Sequence, residues 1–314
     1  MSRVRIVVPA RNESGRLGQC LAALLESVEY ARSIAAHGNA GRRDIDIVVV
    51  VDRCSDGTAA IARHFSVSVL DCPPPFGKVE ALRAGFADVA DIDGAVVVGV
   101  DADVVVGRRT IGDLLTTIEA GHGVLVACPP LRPLPPRQRT PLAWALYRYN
   151  VQRGFSSERR WFNGRCWASR HVAFPTTPAM FKRADDVGLA PDHPLRGPLL
   201  AEDIWLSRHI TDRGGEAAIA VIDTDPVDFR PPATIAGMTN YWRRLRRELW
   251  RIDVLFPELP IPPARRPDLL ATAPASDLLA WWMFQAALTW CRWRARNDDA
   301  LVDEWHVVAE SKAP

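Results

Sequence analysis

Ala95-Val96-Val97-Val98-Gly99-Val100-Asp101-Ala102-Asp103 is the stretch on which the fold turns. Its apolar residues run on without alternating with polar ones, as in a strand covered on both faces, and the run stops abruptly at two carboxylates. The same texture recurs upstream, in residues 4–8 and 45–51 and in a shorter piece at 66–70. Between these runs the apolar residues change to helical spacing: Leu17, Leu21, Leu24, Leu25 and Val28 in residues 17–30, then residues 58–65 and 78–89. The order βαβαβαβ predicts a doubly wound α/β unit. Ligands of such sheets lie beyond the carboxyl ends of the strands. Those ends carry Arg11-Asn12-Glu13, then Asp52-Arg53-Cys54-Ser55-Asp56-Gly57-Thr58, Gly77-Lys78 and Asp101-Ala102-Asp103.

Composition narrows the class. The chain has 314 residues, 48% hydrophobic and 24% charged, enough for one large domain or two small ones and too apolar for a disordered polymer. Thirty-nine basic residues face 37 acidic ones, so there is no overall field for holding nucleic acid, and no nucleic-acid partner is expected. The six cysteines show no metal-site spacing and are expected to be reduced and buried. The longest apolar run, residues 278–290, is shorter than the ~18 residues a membrane span needs and contains Gln285. The N-terminus lacks a secretory h-region, so a cytoplasmic location is expected.

The second half reads differently. Residues 129–141 and 175–198 look irregular and rich in proline. Helices are expected at 142–151, at 201–211 with Glu202-Asp203 opening it, and at 235–252, which is studded with arginine; a late strand is expected at 217–222. After a proline-rich break, a final helical segment from residue 276 carries Trp281, Trp282, Phe284, Trp290 and Trp293 beside Arg292, Arg294 and Arg296. That crowding suits core cover, a homodimer contact or peripheral docking at the inner face of a membrane. The pattern divides into a catalytic unit over residues 1–230, with halves at about 1–105 and 106–230, and a C-terminal helical region over 231–314.

Asp101 and Asp103, two apart at the end of a buried strand, project to the same side, where each raises the pKa of the other unless a cation intervenes. Oxygen ligands of this kind suit Mg²⁺ or Mn²⁺, which can also hold substrate phosphates. Glu202 and Asp203 sit at a helix start, where the dipole favours the ionised form; capping alone would explain them equally well. Trp161, Phe162 and Trp167 could form an aromatic platform for an acceptor or simply pack in a core.

The quoted residues resemble the family 2 glycosyltransferases, with the GT-A nucleotide-sugar-binding fold: a mixed, mostly parallel sheet flanked by helices. Ile6-Val7-Val8-Pro9-Ala10-Arg11-Asn12-Glu13 is similar to the family's "VxPxxNE" opening, and Asp52-Arg53-Cys54-Ser55-Asp56-Gly57-Thr58 to its second-strand motif. Gly77-Lys78-Val79-Glu80-Ala81-Leu82 resembles "GKxxAL", Asp101-Ala102-Asp103 the DXD motif, and Glu202-Asp203-Ile204-Trp205-Leu206 "EDxxL". The segment from Asn163-Gly164 to Ser169-Arg170 resembles the acceptor-side strand.

The resemblance implies a metal-dependent, inverting transfer from a nucleotide-diphosphate sugar to a hydroxyl acceptor. Pro9, Ala10 and Glu13 would line the nucleoside pocket. Asp52 would accept a ring N–H of uracil or guanine, and a UDP-sugar is the favoured donor. Lys78 would meet the base or phosphates, Asp103 the metal, and Asp101 the ribose or the metal. Asp203 would be the general base, with Asn163, Gly164, Trp167 and Glu202 on the acceptor side. Trp242-Arg243-Arg244-Leu245-Arg246-Arg247 stands where the family often has a basic "QxxRW" motif, and Arg244 and Arg247 would clamp the diphosphate. Asp228 lies near the position of a further metal ligand in some relatives. A sugar-phosphate nucleotidyltransferase needs a glycine-rich loop that residues 9–15 lack, and a non-catalytic protein would use the arginines to bind anions. A dinucleotide oxidoreductase would need a GxGxxG after the first strand.

Overall fold

Strand β1 (Ser2–Ala10) is buried along nearly its whole length and pairs in parallel with β2 (Arg43–Val51) on one side and β4 (Val96–Val100) on the other. The computed structural model describes residues 2–37, 43–89, 92–121, 123–152, 162–170, 172–261 and 275–296. Strand β3 (Ser68–Asp71) extends the sheet beyond β2. Beyond β4 lie β7 (Cys166–Ser169), β5 (Val126–Cys128) and β8 (Ile219–Val221), giving the order β3-β2-β1-β4-β7-β5-β8. Only β7 runs antiparallel to its neighbours, so the sheet is mixed and mostly parallel, as expected.

The two faces follow from strand alternation. Val4, Ile6 and Val8 point into one core shared with α1 (Leu17–His37) and α4 (Thr110–Ala120). Val7, between them, joins the opposite core with α3 (Lys78–Phe86), α6 (Thr177–Asp186), α7 (Glu202–Gly214) and α8 (Ile235–Leu255). A short helix, α2 (Thr58–Arg63), follows β2. Fully burying each Val, Ile or Leu contributes roughly 1.5–3 kcal/mol. Gly99 of β4 is opposite Trp167 of β7, and a Cβ at residue 99 would lie 2.5 Å from the indole. Glycine at that point lets the ring lie flat against the strand.

A second, two-stranded sheet pairs β6 (Leu131–Pro133) with β9 (Val227–Phe229). A bridge from Val105 to Asp228 fastens this ribbon just past the end of β4. The C-terminal helix α9 (Ala275–Arg296) packs on α5 (Pro141–Gln152) and α8, with Phe284 stacked on Tyr149. Leu279, Trp282, Trp290 and Trp293 remain exposed on it.

The structure departs from the sequence reading in several places. Residues 175–198 contain α6, whose N-cap Thr176 accepts a hydrogen bond from Ala179 N, with proline in the first helical turn. Proline there needs no backbone N–H and starts a helix, so proline content does not mark this segment as irregular. Residues 129–141 contain β6. Helix α4 and strands β5 and β9 lie where periodicity assigns no element, the strands because three residues are too few to show a period. All six cysteines are free thiols and five are buried, with Cys54 half-buried. Among the described residues, no helix is long and apolar enough to cross a membrane.

Candidate active site

The exits of β1 and β2 are laced together. Asn12 and Arg53 both take left-handed backbone (φ 53 and 48), which is uncommon for residues with a side chain and gathers at functional sites. Asn12 Oδ1 accepts from Ser55 N at 2.8 Å, Thr58 Oγ1 accepts from Glu13 N at 2.7 Å, and Ala10 O accepts from Asp52 N at 2.9 Å. Asp56 accepts from Thr58 N and Ser14 N. Burial opposes its ionisation, but the hydrogen bonds from Thr58 and Ser14 outweigh that and hold its pKa down at about 2.

Pro9, Ala10 and Glu13 are buried around this junction. Asp52 is fully buried: its Oδ1 accepts from Arg53 Nε at 3.0 Å, while Oδ2 is enclosed with no partner among the described residues. The Arg53 guanidinium lies 4.4 Å over the Phe76 ring, which fixes the arm that holds Asp52.

The centre of the site is Lys78, the first residue of α3. A cation at a helix N-terminus opposes the dipole, and two carboxylates offset that cost. Lys78 Nζ lies 2.6 Å from Asp101 Oδ1, pairs tightly with Glu202 Oε1, and is 3.5 Å from Gly164 O. Asp101 comes from the exit of β4 and Glu202 from the first turn of α7, so one ammonium joins three elements. Burial disfavours the Lys78 charge, but Asp101 and Glu202 outweigh it and hold its pKa above the ordinary value. Burial pushes Glu202 up to about 7 against the pull of Lys78. It raises Asp101 as well, again against Lys78, with Asp103 adding to the rise.

Gly164 closes this centre. A Cβ there would sit 2.7 Å from Glu202 Oε1 and 2.9 Å from Asp203 Cβ, so the close approach requires glycine. Asp203 is half-buried beside it, with Oδ1 accepting from Ile204 N at 2.9 Å. The carbonyl of Arg165 accepts from Asp101 N at 2.8 Å, and the Arg165 guanidinium stacks 4.1 Å over Phe229.

Asp103 is half-buried, two residues past Asp101, and its charge is felt by Arg16 at the start of α1. Among the described residues no three His, Cys, Asp or Glu side chains converge on a common point. Asp101 and Asp103 could therefore hold a cation only together with oxygens from a ligand. That is the usual manner of Mg²⁺, bound by one or two carboxylates and substrate phosphates.

Asp228 does stand near the metal candidates, bridged to Val105 two residues past Asp103, and its carboxylate accepts a bidentate contact from the exposed Arg132 at 2.6 and 2.8 Å. Several other expected residues lie elsewhere. Trp167 is fully buried among Phe86, Phe162 and Phe174 and presents no face to an acceptor. Trp161, the third member of the expected platform, lies outside the described residues. Asn163 is half-buried and ties Pro129 O to Cys166 N, a role in the loop before β7. Arg247 is buried and donates to Pro194 O at 2.7 Å, so its guanidinium is drawn into packing; Arg244 is half-buried on the same helix.

The comparisons fit this geometry. Residues 5–182 match the family model described as Glycosyl transferase family 2. The chain belongs to that family. This glycosyltransferase also shares its GT-A fold with solved structures of glucosyl-3-phosphoglycerate synthase from Mycobacterium tuberculosis. One, in complex with Mn²⁺, UDP-glucose and phosphoglyceric acid, is 19% identical with a TM-score of 0.50, covering 81% of this chain and 80% of that one. Another, in complex with Mg²⁺ and UDP, is 20% identical with a TM-score of 0.50, covering 84% and 81%. At that identity the likeness speaks to the fold. No curated protein matches by sequence. Family membership sets aside the nucleotidyltransferase and non-catalytic readings.

Sequence reasoning named Lys78, Asp101 and Glu202 but missed their shared contact. The need for glycine at residue 164 and the part of Arg165 were also missed. A signal for the first existed: one of only three lysines in an arginine-rich chain, at a helix start where a cation is disfavoured.

Proposed function

We propose that this glycosyltransferase is metal-dependent and moves a sugar, with inversion, from a UDP-sugar to a hydroxyl acceptor. The observation that carries the reading is the cluster in which Lys78 joins Asp101 to Glu202, with Asp103, Gly164 and Asp203 alongside. The enclosed Asp52 Oδ2 supports the choice of base: it is an acceptor in want of a donor, and the uracil N–H is one. The solved neighbours were complexed with UDP or UDP-glucose together with Mn²⁺ or Mg²⁺, which agrees with this choice.

Asp103, with Asp101 beside it, would hold Mg²⁺ or Mn²⁺ against the donor diphosphate. Bound there, the ion would stabilise the negative charge that develops on departing UDP. Lys78 keeps Asp101 oriented and neutralises Glu202, which would otherwise repel both Asp203 and the diphosphate. Asp203 takes the proton from the acceptor hydroxyl as its oxygen bonds to the anomeric carbon. The bond from that carbon to the diphosphate breaks and UDP leaves.

The test is UDP release from a panel of UDP-sugars, first with water and then with hydroxyl acceptors, in the presence of Mn²⁺. Turnover of one UDP-sugar that is abolished in Asp203→Asn, with UDP binding retained, supports the reading. GDP- or TDP-sugars used equally well, or an Asp203→Asn enzyme as fast as the wild type, would refute it.

A further inference from the structure

Helix α8 carries Arg247, Glu248 and Arg251, which its charge pattern would assign to a solvated face or an anion clamp. All three are buried, Glu248 and Arg251 almost completely. All three reach one segment, residues 194–200, which leads directly into α7. Arg251 Nε donates to Leu195 O at 3.0 Å and its Nη1 to Pro198 O at 2.6 Å. Glu248 Oε1 accepts from Leu200 N at 3.0 Å, and its other oxygen pairs with Arg251 at 3.0 Å. Arg247 adds the bond to Pro194 O. The backbone of Ala201 also reaches Glu248.

Residues 200 and 201 immediately precede Glu202 and Asp203. A segment with proline at 194 and 198 and a left-handed Gly197 (φ 145) cannot fix itself through a helix or sheet ladder. Its polar backbone is satisfied from α8 instead. Further along, α7 and α8 are joined by Arg208 to Asp253 at 2.6 Å and by the rings of Trp205 and Phe256.

We infer that Glu248 and Arg251 are positioning residues: they set where Glu202 and Asp203 stand over the exit of β4. The inference rests on the proposed acceptor-side role of those two acids. It gives the C-terminal region, which begins well after the family match ends at residue 182, a part in the reaction. A buried ion pair adds little net stability, and apolar residues of similar size often replace one without loss of fold. Loss of the backbone bonds does cost stability, so positioning is read from the split between kcat and KM and from exchange confined to residues 199–203.

The experiment uses the full chain with the double variant E248L/R251M and, alongside it, E248Q and R251K. Amide hydrogen exchange is followed at residues 199–203, and UDP release from UDP-glucose with water as acceptor is measured with Mn²⁺. In the double variant the KM for UDP-glucose stays near wild type, while melting falls because Leu195 O, Pro198 O and Leu200 N lose their partners. Exchange at 199–203 speeds up and kcat falls, each by at least about tenfold. R251K keeps the charge but loses the forked contact, and shows the same split to a lesser degree. Wild-type protection at 199–203 in all variants would overturn the inference, as would a kcat within about twofold of wild type or a parallel loss of donor binding. If the double variant does not fold, E248Q and R251K decide by the same readouts. If the wild type releases no UDP from UDP-glucose, kcat is read with whichever UDP-sugar of the panel it uses, and inactivity with the whole panel fails the donor assignment while the exchange measurement still decides the positioning.

Discussion

Lys78 Nζ and Asp101 Oδ1 stand 2.6 Å apart at the junction of α3 and β4, and the same ammonium holds Glu202. Two carboxylates from distant parts of the chain, Glu202 buried and Asp101 half-buried, thus depend on one cation. Lys78→Met would leave them facing each other uncompensated. Breaking a buried pair from one side costs about 3–5 kcal/mol, so urea denaturation of Lys78→Met at pH 8 should show a loss of that order. The loss should shrink at pH 5, where Glu202 takes up a proton. A loss below about 1 kcal/mol at pH 8, the scale of an exposed pair, would mean that the contact is superficial.

Glu202 gives stability a pH dependence of fixed sign. Its folded pKa is raised from 4.5 to about 7, so between these values the native state keeps a proton that the unfolded chain has lost. Stability attributable to this group therefore falls as pH rises from 4.5 to 7 and levels off above that, by roughly 3 kcal/mol at most. Denaturation midpoints across pH 4.5–8 for the wild type and Glu202→Gln measure it. The downward slope should be weaker in the variant; identical curves would remove Glu202 as the source.

Much of this arrangement was legible in the sequence. The runs 4–8, 45–51 and 95–100 are dominated by Val and Ile because both faces of those strands are covered, and the acids that follow them therefore share one rim. Contacts between distant elements were not legible. That Lys78 meets Glu202 depends on how α3 and α7 cross the sheet, which no local pattern encodes. Trp167 shows the converse failure: aromatic composition is the same for a core and a binding platform. The pairing of Gly99 with Trp167 across β4 and β7 settles which it is. The contact of Asp228 with Arg132 is of the same kind, since only the β6–β9 pairing brings the two together.

Gly164 tests how tightly the acceptor side is built. A methyl group at this residue meets Glu202 Oε1 and Asp203 Cβ at under 3 Å, so the start of α7 must shift. Gly164→Ala should lower kcat by about tenfold or more, since small misplacements of reacting groups are costly. UDP affinity should stay within about twofold, below the tenfold that 1.4 kcal/mol represents. Wild-type turnover in this variant would show that the acids tolerate the displacement.

Asp52 tests base recognition. Asp52→Asn keeps the shape but can present an NH₂ where the enclosed Oδ2 now waits for a donor. UDP affinity measured by calorimetry should fall by about tenfold or more, equivalent to at least 1.4 kcal/mol. Unchanged affinity would place the base elsewhere.

The most direct measurement is calorimetric titration of UDP into the wild type and Asp103→Ala, each with Mn²⁺ and with EDTA. The account predicts tight binding only for the wild type with Mn²⁺, and the same weak binding in the other three combinations. Equal affinity with and without the ion, or full metal-dependent binding in Asp103→Ala, would contradict it.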